Sequence, residues 1–171
     1  MMDSNVASTV DRPSYVTALE TIFGPPSQAG FGSAVFYEPL AANAALAETA
    51  LARYKFFVGP LWERFGEAAW LTPWQAVYTR QPGAQRDLAA ELQALPDRAL
   101  ALTAAMLLEN AEDEAAARVA LSAAYDDPAV TELVIYRIGD GAAMSGVLIA
   151  GRRSPAGSTA GDAVFLLLLL D

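Results

Sequence analysis

Glu63 with Glu67, and Glu109 with Asp113, are carboxylates spaced four residues apart. On a helix that spacing turns both acids to one face, the arrangement that a divalent ion or an acid–base pair requires. Neither pair has a histidine or a further carboxylate motif beside it, and a solvated helix face produces the same spacing. The chain has no histidine and no cysteine. That removes the usual general base near neutral pH, the Ser-His-Asp and Cys-His arrangements, thiolate chemistry and cysteine-ligated zinc. No catalytic residue, metal site or cofactor is therefore expected. Gly139-Asp140-Gly141 lacks the surroundings of a calcium loop or a phosphate-binding loop and reads as a turn, with Asp140 exposed as a partner contact. Lys55 is the only lysine. With no residue marked to activate it, it reads as a solvated side chain on the back of a helix.

What remains is recognition chemistry. Trp62, Trp70 and Trp74, with Phe56, Phe57, Phe65 and Tyr78, cluster large aromatics over 56–78. Aromatics at helical spacing are core residues as a rule, whereas an exposed tryptophan anchors an interface or lines a pocket. Eleven basic residues against twenty acidic ones give a net charge of -9. Such a chain repels phosphate backbones, so direct nucleic-acid binding is not expected, and a basic protein partner would be steered toward it. Trp62, Trp70, Trp74, Asp140, Glu112 and Asp113 together make the candidate interaction surface.

The elements that must position these residues follow from periodicity. With 171 residues, the chain is long enough for one domain with its own core, expected over 13–171 behind a flexible stretch at 1–12. Its 36 alanines raise the apolar fraction to 54% while favouring helix. No window is long and apolar enough for a spanning helix and no leader is readable, so a cytoplasmic protein is expected. Tyr15, Ala18, Leu19 and Ile22 mark a helix that Gly24-Pro25-Pro26 ends. A helical stretch from Ala41 carries Leu46, Ala50, Tyr54 and Phe57, and resumes after Gly59-Pro60 over 61–65. Thr72-Pro73 predicts a short helix bearing Trp74, Val77 and Tyr78. Leu88, Leu92 and Leu95, then Leu100, Ala104, Leu107 and Leu108, predict two helices broken at Pro96-Asp97. Asn110 would cap another, with Glu112, Asp113 and Glu114 in its first turn and Ala115, Val119, Ala120 and Ala123 facing inward.

After Asp126-Asp127-Pro128 the period changes from 3.6 to 2. Strands are expected over 133–138, 146–151 and 163–170, the last buried on both faces. The fold class is thus α+β: a helix-rich N-terminal two-thirds packed on a C-terminal antiparallel sheet. That sheet is a three-stranded meander, with 33–37 as a fourth, edge strand. Were 163–170 an edge itself, the chain would form a homodimer through it.

The C-terminal third resembles the nuclease A inhibitor family. The match lies in the charged helix of 112–124, the run Glu132-Leu133-Val134-Ile135-Tyr136-Arg137-Ile138-Gly139, and Val147-Leu148-Ile149-Ala150-Gly151. The resemblance implies a small acidic α/β protein that blocks a nonspecific nuclease by occupying its active site. No inhibitory residue is transferred, because the family's closing Val-Glu-Thr has no counterpart before Leu170-Asp171. The expected function is a non-enzymatic protein-interaction module, an inhibitor or adaptor. The alternative is a small-molecule-binding domain or weak carboxylate enzyme with an aromatic-lined cleft that uses Glu63 or Glu67.

Overall fold

The computed structural model describes residues 12–109, 111–154 and 161–171. At its centre lies one antiparallel sheet of five strands: β1 (Gly32–Pro39), β2 (Gln75–Thr79), β3 (Val130–Gly139), β4 (Ser145–Arg153) and β5 (Asp162–Leu170). Their order across the sheet is β1-β5-β4-β3-β2. This corrects the three-stranded C-terminal sheet read from the sequence. The expected meander of β3, β4 and β5 forms the middle, but both flanking strands come from the N-terminal half. The apolar strand β5 is buried on both faces, and its backbone groups must be paired along both edges. β1 provides the second edge, in register from Gly32 opposite Leu169 to Pro39 opposite Asp162. β5 is therefore an interior strand, paired along both edges, and self-association through its edge is ruled out.

β2 replaces the helix expected after Thr72-Pro73. Thr72 closes the preceding helix instead of opening a new one, donating its hydroxyl to the Ala68 carbonyl at 2.7 Å. Val77, Tyr78 and Thr79 are strand formers, and pairing with β3 decides in their favour. A bulge between Ala76 and Tyr78 and a length of five residues keep this edge from templating another strand.

Alternation along the strands splits the sheet into two apolar faces. Val35, Leu166, Ile149, Ile135 and Tyr78 form one continuous row across all five strands. That face is covered by α1 (Ser14–Phe23), α5 (Leu88–Gln93), α6 (Arg98–Glu109) and α7 (Glu114–Tyr125). The opposite face, with Phe36, Phe165, Leu167, Leu148 and Tyr136, is covered by α2 (Leu46–Val58), α3 (Leu61–Phe65) and α4 (Glu67–Leu71). The molecule is a helix–sheet–helix sandwich, and each face buries its own core.

Local chemistry explains the helix limits. α1 ends at Gly24, and the aspartates Asp87, Asp97 and Asp113 accept from the amides of Ala90, Leu100 and Ala116 at 3.1–3.2 Å, so each caps a helix. The helix expected from Asn110 therefore starts at Glu114 with Asp113 as its cap; Asn110 lies outside the described residues. Arg152 is buried and donates to the carbonyls of Ala42 and Ala44, which holds that turn out of α2 and delays its start to Leu46. The flexible stretch expected over 1–12 falls outside the described residues except for Arg12, which pairs with Glu20.

Candidate functional site

The tryptophans read as an interaction surface are built into the layer of α2, α3 and α4. Trp70 is fully buried and Trp62 is 3% exposed. Only Trp74 keeps solvent-facing area, and it stacks on Tyr136 with ring centroids 4.3 Å apart. Tyr54 organises the group: its ring meets Trp62 edge-on at 5.2 Å and stacks on Trp74 at 5.4 Å. The single proton of its hydroxyl is shared between the carbonyls of Trp70 and Gly139, both at 2.9 Å, and the oxygen accepts from the Gly139 amide. Burial raises its pKa. The indole of Trp70 donates to the Leu61 carbonyl at 3.0 Å, while that of Trp62 finds no acceptor among the described residues. The aromatic-lined cleft is filled by its own rings.

Asp140 belongs to the turn between β3 and β4. One carboxylate oxygen accepts from the amides of Ala142 and Met144, at 2.8 and 3.0 Å, which folds the turn and leaves the residue half-buried. Neither carboxylate pair survives as a pair. Glu63 and Glu67 fall on different helices, separated by Gly66 at φ 92°, and Glu109 ends α6 while Asp113 caps α7. Lys55 is exposed on α2. Among the described residues no three metal-capable side chains converge, and no helix is long and apolar enough to cross a membrane.

A charged cluster that the sequence did not single out lies between β2, α5 and α7. The side chain of Arg80, 5% exposed, spans Glu91 through two nitrogens at 2.5 and 2.9 Å, reaches Asp126 at 2.9 Å and donates to the Tyr125 carbonyl at 2.7 Å. Tyr78 donates to Glu91, and Asp126 also accepts from the Leu88 amide at the start of α5 at 3.1 Å. Every group is satisfied from inside the protein, so the cluster ties three elements together and offers nothing to a ligand. A second knot joins α1 to the sheet. Tyr15 and Tyr37 donate to the two oxygens of Asp162 at 3.0 and 2.9 Å, with Arg153 lying 3.6 Å above the Tyr15 ring.

An open groove of about 680 Å³ lies between α1 and α7, lined by Ala18, Ile22, Ala115, Val119, Ala120 and Ala123 together with the carboxylate residue Asp113. Its origin corrects the phase read for α7. The residues α7 turns to the sheet are Ala117, Ala120, Leu121, Ala124 and Tyr125. Tyr125 takes the lead because its ring lies over Gly151, where a Cβ would come within 2.8 Å of it, and its hydroxyl reaches the Ile149 carbonyl at 3.1 Å. α7 thus carries two apolar stripes. The second, Ala115, Val119 and Ala123, was expected inside and faces the groove, with Val119 69% exposed. Acidic residues flank the α7 end, where Glu112 and Asp113 are exposed and Glu114 pairs with Arg118 at 3.1 Å. Of the six candidate surface residues, the structure brings Asp113 to this groove, with Glu112 exposed next to it in the chain, and leaves Trp62, Trp70, Trp74 and Asp140 with the layer of α2, α3 and α4 and its adjoining turn.

Comparison of the chain with protein-family models, curated proteins and solved structures finds no match in any of the three.

Proposed function

We propose that this protein is a non-enzymatic interaction module that takes an apolar segment of a basic protein partner into the α1–α7 groove. The observation that carries the reading is the second apolar stripe of α7, open to solvent beside acidic side chains in a chain of net charge -9. An apolar stripe supplies the affinity, and the acidic end supplies steering and orientation. Alanines floor the groove, so the backbone of an incoming helix can approach closely. A blocker or adaptor acting by occupation needs no bond chemistry, and the helix–hairpin resemblance to nuclease inhibitors supports the blocking form. A cytoplasmic setting belongs to this reading and rests on the sequence alone, whose core is built without disulfides.

Capture from the source cell's lysate at low and high salt tests it, with wild-type protein beside Val119→Asp. The expected result is a basic partner held by the wild type at low salt, released at high salt and not held by the variant. A partner retained equally by Val119→Asp contradicts it. The volume of the groove also falls in the range of small-molecule sites. An apolar dye displaced by no protein but by a small metabolite would favour that second reading.

A further inference from the structure

Helix α6 is apolar nearly all round. Between Arg98 and Glu109 its only polar residue is Thr103. Its inner face, Leu100, Ala104, Leu107 and Leu108, is buried, yet Leu102 is 60% and Met106 37% exposed on the outside. A helix of that composition in a surface layer calls for a cover. Independently of the α1–α7 groove, we infer that the cover is α6 of a second copy of this chain, packed antiparallel about a two-fold axis between Leu102 and Ala105.

Three features of the stripe select a second copy. The first is charge. Arg98 stands at the first position of α6 and Glu109 at the last, both exposed and neither in an ion pair among the described residues. Each has the wrong sign for its own helix end, since the N-terminus favours anions and the C-terminus cations. An antiparallel mate sets Glu109 of one copy at the N-terminus of the other and against its Arg98, which reverses both conflicts. The second is symmetry. Arg98, Leu102, Ala105 and Glu109 recur at spacings of four, three and four, a single helical stripe whose centre falls between Leu102 and Ala105. The third is size. Across the same centre Leu102 meets Ala105, and Met106 meets Ala101, so each large side chain faces a small one. Ala101 and Ala105 also line a shallow groove of about 400 Å³ along α6, with Leu95 and Pro96 on its far wall, into which the partner's Leu102 and Met106 would enter. A contact about 18 Å long, the span of a twelve-residue helix, makes a small interface, so a reversible dimer is expected.

Sedimentation velocity across a dilution series of the full chain tests this. Wild type should pass from monomer to dimer with rising concentration, and Leu102→Glu should weaken the dimer by roughly 30-fold or more, as loss of a central anchor does. Arg98→Glu and Glu109→Arg should each be monomeric, since each sets like charges together at both ends of the pair. An equimolar mixture of those two variants should recover the dimer, because the mixed pair has unlike charges at both ends. That recovery also shows that both variants are folded. A wild type that stays monomeric throughout, a dimer indifferent to Leu102→Glu, or a mixture that fails to recover overturns the inference.

Discussion

Two tryptophans of the same cluster differ in one hydrogen bond, and that difference decides what their replacement does. Trp70 donates to the Leu61 carbonyl, so Trp70→Phe gives up that hydrogen bond and leaves a void in a fully buried site; a loss of about 2–3 kcal/mol is expected. The buried N–H of Trp62 has no acceptor among the described residues, so Trp62→Phe removes an unpaired donor along with some packing, and should stay within about 1 kcal/mol of wild type. Chemical denaturation of the two variants side by side checks the contrast. Composition could announce an aromatic cluster but not which N–H finds a partner, because that depends on the turn between α3 and α4 at Gly66.

At the scale of the element, Asp113 does two separable things. It caps α7 and it adds a charge to the lining of the groove. Asp113→Asn keeps the capping oxygen and should melt with the wild type, whereas Asp113→Ala should lose about 1 kcal/mol. Both remove the charge, so both should bind a basic partner more weakly. Much of the element level was legible in the sequence. Apolar spacing gave α1, α2 and α6 and the inner residues of α2 and α6, whereas α1 buries Val16, Leu19 and Phe23 and of its expected stripe turns only Leu19 fully inward; β-branched runs gave β3, β4 and β5. β2 was missed because Thr72-Pro73 is a local helix signal, overruled by pairing with a strand almost sixty residues away. The phase of α7 was missed because an alanine-rich helix offers several apolar stripes. The one turned inward is set by Tyr125 over Gly151, a contact no periodicity reveals. The groove is the direct consequence of that choice, so it too lay outside what spacing could show.

The whole molecule carries a common electrostatic signature in its tyrosines. All six have pKa values raised, with burial the leading cause at each, and Tyr37 and Tyr78 are pushed up to about 12 from 10.0. Unfolded tyrosines ionise near pH 10, so the neutral phenols stabilise the fold fully below that point. The contribution of Tyr37 and Tyr78 is then lost as pH rises from about 10 to about 12, and that of the more strongly raised Tyr15, Tyr54 and Tyr125 at still higher pH. Tyrosinate absorbance should therefore lag behind that of free tyrosine and rise together with loss of the circular dichroism signal. Early, gradual ionisation in a folded protein would show that these hydroxyls are not held as described. The sandwich itself, with both faces of the sheet covered, leaves the outer surfaces of its helices for recognition. Among these surfaces the α1–α7 groove is the proposed seat of the partner. Replacing Val119 with the photo-crosslinking residue p-benzoylphenylalanine, and Lys55 on the opposite layer as control, tests it most directly. A basic protein should crosslink from position 119, more weakly with Asp113→Asn, and not from position 55. The same crosslinked proteins at both positions, or none at 119, would contradict it.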